Sequence, residues 1–306
     1  MAQTNRFNGA WTALISPQSS SGDVDVPALQ SFTEYLIEDI GIDGLYLCGS
    51  TGEGIYTTSA SRKVVAETVM AQAAGRTPVI VHVGSQSSAD AIELARHAQS
   101  LDVAGISSII PAGYSSIAAA KSYFTRLADA APSLPLLPYL MGLSTSPVPL
   151  MEELLSVPNV AGTKYTGPNM YEMEQILRLG ERGERPFGWT VFSGMDEQCL
   201  CAALYGAHGN IGSTLNFMPG AYKAIHRWLA DGDIERATEL QMKINRVTEA
   251  AISVDFMGSL YEMVRLLGHD CGEPKLPNLP LSNEQRNELH QKLDALNWKE
   301  VTGKIL

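Results

Sequence analysis

The sequence lacks the features that mark membrane proteins, nucleic-acid-binding proteins and zinc proteins. No apolar run approaches the ~20 residues that span a bilayer. The 306 residues contain no cluster of Lys and Arg and carry a formal net charge of −11, which argues against nucleic acid or an anionic membrane as a partner. The four cysteines match no zinc-binding spacing, and no set of His, Asp and Glu has metal-ligand spacing. A small molecule is therefore the expected partner.

A secretion signal is also missing from the start of the sequence. The first residues are polar, and Phe7 is the first large apolar residue. Such a start is unlike the apolar core of a signal peptide, so we expect a cytoplasmic protein. In that compartment cysteines are reduced, and we expect Cys48, Cys199, Cys201 and Cys271 to be free and mostly buried thiols.

What the sequence does contain is a regular alternation of apolar runs and amphipathic stretches. The apolar runs predict eight strands, at residues 8–15, 44–48, 78–83, 105–110, 134–140, 160–166, 189–192 and 209–213. A stretch of helical periodicity follows each run. Continuous apolar runs are typical of parallel strands that are buried on both faces. Eight such units in about 225 residues predict the α/β class and a (β/α)8 TIM barrel.

The alternative is a doubly wound open sheet. That fold would have fewer strands and a glycine fingerprint in its first turn, where this chain has Ile15, Ser16, Pro17 and Gln18. After Asp231 the strands stop, and helical periodicity resumes at residues 234–254, 256–267 and 283–296. We therefore expect a barrel over residues 1–231 and a C-terminal helical extension over residues 232–306 that packs on it.

The active site of such a barrel lies at the C-terminal ends of its strands. This rule selects one set of side chains, which should converge on a single mouth. They are Ser50 and Thr51 after strand 2, Tyr114 after strand 4, Tyr139 on strand 5, Lys164 and Thr166 on strand 6, Gly194, Asp196 and Glu197 after strand 7, and Ser213 after strand 8.

Lys164 is the residue around which the others are arranged. It lies near the end of an apolar strand, and burial removes hydration from an ammonium and so favours the free amine. A free amine beside a cavity can attack a ketone and form a Schiff base. The structural alternative is a strand-end lysine whose amine reaches solvent. For Lys164 taken alone, this alternative is the simpler interpretation.

The other residues also have structural alternatives. The backbone N–H groups and hydroxyls after Gly49 suit a carboxylate, or they form an ordinary turn. Tyr139 can relay a proton if burial or hydroxyl groups tune it, or it is an aromatic layer residue. Asp196 and Glu197 can accept hydrogen bonds from sugar hydroxyls, or they cap a helix. The six histidines are interpreted as core or surface residues.

Together these motifs resemble the pyruvate-dependent aldolase family that contains N-acetylneuraminate lyase and dihydrodipicolinate synthase. The stretch Gly49-Ser50-Thr51-Gly52-Glu53 is similar to the family's pyruvate-carboxylate loop. Tyr139 lies where the family has its acid/base tyrosine, and Lys164 lies where it has its Schiff-base lysine. The resemblance covers the whole barrel and implies a class I aldolase that needs no cofactor and no metal.

Within the family the sequence is more similar to the lyases. Residues 192–197 and 211–216 resemble the lyase sugar-binding stretches, which implies that Thr166, Gly194, Asp196, Glu197 and Ser213 hold a sugar. The synthase has an arginine shortly after its tyrosine, and residues 140–147 contain none. The implied reaction is reversible cleavage of N-acetylneuraminate to N-acetylmannosamine and pyruvate. The alternatives are an aldolase for another 2-keto-3-deoxy acid and a barrel that binds ligand without catalysis.

Two departures from the family pattern stand beside this resemblance. The family follows its tyrosine with Asn-Ile-Pro or similar, whereas this chain has Leu140, Met141 and Gly142. After strand 4 this chain has Pro-Ala-Gly-Tyr, and its Tyr114 aligns with a tyrosine that reaches into a neighbouring subunit's site. The family commonly forms tetramers, so the resemblance implies a homotetramer.

Overall fold

Eight parallel strands form a closed barrel in the computed structural model, which describes residues 7–19, 21–114 and 116–305. Each strand pairs with the next along the chain, and the eighth pairs with the first through Trp11 and Ile211. This closure confirms the predicted TIM barrel and excludes the open sheet. The polar start used to predict the cytoplasmic location, residues 1–6, lies outside the described residues.

The elements follow the predicted alternation closely. The strands are β1 Gly9–Ala13, β2 Gly44–Leu47, β3 Val79–His82, β4 Gly105–Ile109, β5 Leu136–Met141, β6 Gly162–Thr166, β7 Thr190–Ser193 and β8 Gly209–Gly212. The barrel helices are α1 Val26–Glu34, α2 Ser59–Ala73, α3 Ser88–Ser100, α4 Ile117–Ala130, α5 Val148–Leu154, α6 Met170–Leu179, α7 Cys199–Leu204 and α8 Pro219–Ala230. The remaining helices are α9 Ile234–Val254, α10 Phe256–Leu266 and α11 Asn283–Ala295.

Local chemistry explains where several helices begin. The Asp25 carboxylate accepts a hydrogen bond from the backbone N–H of Ala28 at 3.0 Å, as an N-cap should. Helix α2 is capped by Thr58, whose hydroxyl accepts from the N–H of Ser61, and its first helical residue is Ser59. Helix α5 begins at Val148, and Pro149 occupies its first turn, where proline is tolerated because no N–H donor is needed there.

A small cluster of large side chains fills the barrel interior below the active-site end. Trp11 on β1 packs edge-on against Phe192 on β7, with ring centroids 5.3 Å apart, and Phe7 packs on both. Gly44 on β2 has no side chain because the Trp11 ring occupies the space where a Cβ would lie. A larger apolar layer lies between the strands and the helices. The barrel is therefore a filled core, and the strand-end residues lie at the end above this cluster.

The C-terminal helices pack on the barrel and also reach its active-site end. Gln241 on α9 accepts a hydrogen bond from the N–H of Leu200 at 3.0 Å and donates to the carbonyl of Asp196 at 3.2 Å. Asn245, one turn later, donates to the carbonyl of Glu197 at 3.1 Å. The expected helical extension is confirmed, whereas its division from the barrel at residue 231 stays a prediction. No helix in the described ranges is long and apolar enough to cross a membrane.

Candidate active site

Lys164 and Tyr139 are direct neighbours across two adjacent strands. The register of β5 and β6 places Tyr139 opposite Lys164. Both side chains are buried, and the lysine Nζ lies 4.4 Å from the centroid of the Tyr139 ring. In the part of the chain that the structure describes, no carboxylate lies within ion-pair distance of Lys164. Its amine therefore remains available to a substrate carbonyl.

Tyr46 on β2 forms the other side of the lysine's environment. Its ring centroid lies 4.7 Å from the Lys164 Nζ, and its ring meets Tyr139 edge-on at 6.3 Å. The Tyr46 hydroxyl donates to the Ser107 hydroxyl on β4 at 3.0 Å, which fixes the ring. Tyr46 is not among the residues that the strand-end rule selects from the sequence. Its inward direction follows from alternation along β2, but its distance from Lys164 depends on the stagger of the closed barrel.

His82, at the end of β3, completes the aromatic surroundings. Its ring lies edge-on to Tyr139 at 6.2 Å, and its Nε2 accepts a hydrogen bond from the N–H of Ile109 at 2.9 Å. Burial holds the pKa of His82 well below its usual value, and the nearby Arg62 and Lys164 lower it further. Arg62 donates to the carbonyls of His82 and Gly84. His82 is thus a neutral core histidine, as expected.

The loop after β2 presents the predicted carboxylate-binding residues. Ser50 is exposed at the mouth, whereas Thr51 is only 5% exposed. The Thr51 hydroxyl shares a hydrogen bond of 2.7 Å with the Ser213 hydroxyl after β8. Gly52 leaves no room for a side chain, since a Cβ there would lie 2.8 Å from the carbonyl oxygen of Leu14. The loop therefore packs tightly against the residues that follow β1. Its Thr51 is also linked to Ser213, which is predicted to bind the sugar.

Asp196 and Glu197, predicted as a pair, occupy different environments. Glu197 is exposed, whereas Asp196 is 6% exposed. The Asp196 Oδ2 accepts hydrogen bonds from the N–H and the hydroxyl of Thr214, at 2.9 and 2.8 Å. Its Oδ1 is buried and has no partner among the described residues. Gly212 makes room for this oxygen, because a Cβ there would collide with it.

Thr166 and Gly194 lie on either side of the space above Lys164. The Thr166 hydroxyl oxygen is buried and has no partner in the ranges that the structure describes. A Cβ at Gly194 would collide with this oxygen and would lie 3.0 Å from the Cε of Lys164. The missing side chain at Gly194 therefore leaves room for both the hydroxyl and the lysine stem.

A cavity of about 540 Å³ adjoins this space at the ends of β5 and β6. Its lining runs through residues 140–147 and 165–168, with Glu172 and Met195. It includes hydroxyl and apolar side chains, and no Lys, Arg or His lines it. Met141, one of the departures from the family pattern, has its sulfur 2.9 Å from the Tyr139 hydroxyl, which donates to it. The thioether therefore helps to orient the phenol.

Tyr114, like Ser50 and Glu197, is a predicted site residue that is exposed in the single chain. Its side chain is 37% exposed, and its ring packs edge-on against Tyr123 on α4 with centroids 5.4 Å apart. Gly113 before it has a φ of +91°, in the region that favours glycine. The ring is thus presented at the surface of the loop after β4.

The buried carboxyl of Asp196 predicts a pH dependence. Burial raises its pKa from 3.8 to about 6, against the lowering effect of its bonds from Thr214. Below pH 6 the group gains a proton and loses acceptor capacity at Oδ1. We expect the KM for the sugar in the direction of synthesis to rise about tenfold from pH 7 to pH 5, with no such rise for the keto acid. Steady-state kinetics at each pH measures both.

The matched variant for this test is Asp196→Asn, whose sugar KM should be raised and independent of pH over this range. The free energy of unfolding should increase on acidification, whereas sugar binding weakens, because the pKa of Asp196 is higher in the folded state than in the unfolded state. The contribution of Asp196 to stability is complete below pH 4 and is lost as pH rises through about 6. A sugar KM that falls on acidification would contradict this role for Asp196.

Comparisons with known proteins agree on one family. Residues 6–296 match the model of the dihydrodipicolinate synthetase family. N-acetylneuraminate lyase of Rhizobium meliloti is 32% identical over 303 residues, which cover 98% of this chain and 99% of the relative. That of Escherichia coli O1:K1 is 34% identical over 251 residues, which cover 80% of this chain and 82% of the relative.

Solved structures agree with the sequence relatives. The N-acetylneuraminate lyase of Proteus mirabilis superposes with a TM-score of 0.87 at 29% identity, covering 96% of this chain and 99% of that one. A catalytic lysine mutant of the sialic acid aldolase of Ruminococcus gnavus superposes with a TM-score of 0.90 at 25% identity, covering 98% and 100%. These matches extend over the barrel and the C-terminal helices alike.

Proposed function

Because this chain belongs to the dihydrodipicolinate synthetase family, we propose that it is a carbon–carbon lyase that cleaves N-acetylneuraminate reversibly to N-acetylmannosamine and pyruvate. The observation that carries the proposal is the position of Lys164. A buried amine without a carboxylate partner in the described residues lies between two phenol rings, at the end of a barrel strand. The Ruminococcus gnavus relative has a catalytic lysine, which supports the same role here.

The reaction begins with the open-chain form of the substrate. Its carboxylate binds the hydroxyls and backbone N–H groups of the loop at Ser50 and Thr51, which places C2 at the Nζ of Lys164. The amine attacks the C2 carbonyl, water leaves, and a protonated imine forms. The C4 hydroxyl then loses its proton, and the C3–C4 bonding electrons move into the imine. The products of this step are an enamine on Lys164 and free N-acetylmannosamine.

Tyr139 is the group that relays the proton of the C4 hydroxyl. Its ring lies against the lysine amine, and its hydroxyl is oriented by Met141. The enamine next takes a proton at C3, and water releases pyruvate and the free amine. Asp196, Glu197, Ser213, Thr166 and Gly194 hold the sugar, with the open Oδ1 of Asp196 and the hydroxyl of Thr166 as its buried contacts. Covalent catalysis divides one difficult bond cleavage into easier steps.

A synthase-like reaction is the second candidate, and the cavity beside Tyr139 argues against it. A synthase must hold a second carboxylate near the tyrosine. The cavity there is lined by hydroxyls, apolar groups and the carboxylate of Glu172, and by no cation. A neutral, hydroxylated substrate arm fits that lining better than a charged one, because a buried carboxylate needs paired donors.

The proposal predicts the order of a substrate panel. The kcat/KM for N-acetylneuraminate should exceed that for 2-keto-3-deoxy acids of six or seven carbons by at least about tenfold, since shorter acids present fewer polar groups to Asp196 and Thr166. Pyruvate release measured through a coupled reductase compares the substrates directly. An equal or higher kcat/KM for a shorter acid would show that the protein is an aldolase whose substrate is not N-acetylneuraminate.

We further propose a homotetramer in a reducing, cytoplasmic compartment. The exposed ring of Tyr114 makes sense if a neighbouring subunit covers it, since large exposed aromatic side chains often mark interfaces. All four cysteines are free thiols, and Cys201 is exposed. An exposed free thiol is typical of a compartment where disulfides are kept reduced.

A further inference from the structure

The C-terminal helices contact the carboxylate-binding loop through one buried side chain, Glu53. Its Oε2 accepts a hydrogen bond from the Tyr261 hydroxyl on α10 at 2.8 Å. Its Oε1 accepts two more, from the N–H of Lys275 and from the Asn278 side chain, both at 2.8 Å. Glu53 itself is fully buried. Both oxygens of a carboxylate in the barrel loop are thus held by residues outside the barrel.

The loop needs such support because its backbone is strained. Cys48 and Glu53 both have positive φ values, of 57° and 52°, which are unfavourable for residues with a side chain. Gly54 lies so close to Cys48 that a Cβ there would collide with the Cys48 carbonyl. Unfavourable backbone conformations persist only where surrounding contacts enforce them. The three bonds to Glu53 are contacts of that kind.

Glu53 is also joined to the residues that face the substrate. Its N–H donates to the carbonyl of Ser50 at 3.1 Å, and the N–H of Gly54 donates to the carbonyl of Gly49 at 3.0 Å. These bonds close a tight turn around Ser50 and Thr51. A shift of the Glu53 backbone therefore changes the direction of the Ser50 and Thr51 hydroxyls.

The partners of Glu53 are themselves held firmly. Tyr261 lies on α10, and Lys275 and Asn278 lie in the connector between α10 and α11. Arg265 donates to the carbonyl of Gly272 at 2.9 Å and to the carboxylate of Glu273 at 3.1 Å. Arg286 on α11 donates to the same carboxylate at 3.0 Å. Gln18, from the loop after β1, donates to the carbonyl of Glu273 at 3.0 Å. The connector is therefore a rigid support and not a loose linker.

We propose that Glu53 is a positioning residue through which the C-terminal helices hold the loop in the shape that binds the substrate carboxylate. This inference rests on the proposed function, in which Ser50 and Thr51 bind that carboxylate. Glu53 does not act on the substrate itself, because it is fully buried and its oxygens already accept three hydrogen bonds. The C-terminal helical extension is therefore a structural part of the active site.

The test compares two variants of Glu53 in the direction of synthesis. Glu53→Ala removes all three bonds, and we expect the KM for pyruvate to rise about tenfold or more. Glu53→Gln keeps the shape: its carbonyl can accept from Lys275 and Asn278, and its amide can donate to the Tyr261 hydroxyl. We expect Glu53→Gln to restore most of the pyruvate affinity. The KM for N-acetylmannosamine should change little in either variant.

The same effect should follow from changes outside the barrel. Tyr261→Phe and Asn278→Ala each remove one donor, so each should raise the pyruvate KM by a smaller factor than Glu53→Ala. Lys243→Gln is the matched control, because it breaks an ion pair with Glu300 that lies within the extension. It should leave both KM values unchanged. If Glu53→Ala fails to fold, Tyr261→Phe and Asn278→Ala test the proposal in its place.

Borohydride trapping of pyruvate separates the possible failures. If the wild-type protein traps no pyruvate on Lys164, the proposed function fails. If it does trap pyruvate, and the folded Glu53→Ala or Tyr261→Phe protein traps it with the same concentration dependence, the positioning role fails. Equal rises in both KM values, or a lower melting temperature with an unchanged pyruvate KM, would also overturn the inference. A selective loss of pyruvate affinity that Glu53→Gln restores would support it.

Discussion

Replacing Lys164 with alanine is expected to abolish turnover, with kcat lowered by more than about 10⁴-fold, the scale seen when a covalent nucleophile is removed. Without the amine no imine forms, and the C3–C4 bond has no electron sink. The fold should persist, since the methyl group of alanine fits wherever the lysine stem does. Pyruvate release by the purified variant measures the loss.

Lys121→Ala provides the control for this substitution. Lys121 lies on the outer helix α4, where it pairs with Glu153 at 2.7 Å and lines no part of the candidate site. Exposed ion pairs contribute little to stability, so this variant should retain wild-type activity and folding. Turnover by Lys164→Ala close to that of the Lys121→Ala control would rule out the Schiff-base mechanism.

Replacing Tyr139 with phenylalanine should lower kcat by about 10²- to 10⁴-fold while KM changes little, because the hydroxyl acts on the proton of the C4 hydroxyl in the transition state. The ring would remain over Lys164, so imine formation should survive. Trapping of pyruvate on Lys164 should therefore still occur in this variant. Single-turnover cleavage of N-acetylneuraminate, followed with trapping, separates the two steps.

Tyr205→Phe is the matched control for Tyr139→Phe. Tyr205 follows helix α7 and is 53% exposed. It lines neither the cavity nor the surroundings of Lys164. Removal of its hydroxyl should leave kcat close to the wild-type value. If Tyr139→Phe also kept a normal kcat, Tyr139 would not be on the proton path.

Much of this architecture follows from the sequence because local patterns determine it. Continuous apolar runs of a few residues, each followed by helical periodicity, specify buried parallel strands and outer helices. Once the barrel is assumed, strand ends select Lys164 and Tyr139, whereas their direct opposition across β5 and β6 is set by the strand register. The limits of α9, predicted at residues 234–254, match the structure, and its start is capped locally by Asp233.

The contacts that the sequence did not reveal are those between distant positions. Glu53 and Tyr261 are 208 residues apart, and Thr51 and Ser213 are 162 apart. No local pattern indicates which donor will meet a buried carboxylate across such a distance. The separation of Asp196 from Glu197 has the same cause, because Thr214 on the following loop decides which carboxylate is buried. The roles of these residues in binding stay predictions.

The departure at residues 140–142 has a consequence that only the folded chain reveals. Strand β5 continues through Met141, so the change does not break the strand. Gly142 then turns the chain with a φ of +65°. The result is a thioether beside the Tyr139 hydroxyl and, beyond it, a cavity whose lining includes the carboxylate of Glu172 and no Lys, Arg or His. Such a lining offers no cation to a second substrate carboxylate.

The measurement that tests the central claim most directly is the trapping of the reaction intermediate. The wild-type protein is mixed with N-acetylneuraminate, reduced with borohydride, digested, and mapped by mass spectrometry. The account predicts an adduct of pyruvate size on Lys164, which requires both imine formation and C3–C4 cleavage. An adduct of the whole sugar would contradict the cleavage step. The absence of any adduct on Lys164, with N-acetylneuraminate and with pyruvate alone, would contradict the Schiff-base aldolase itself.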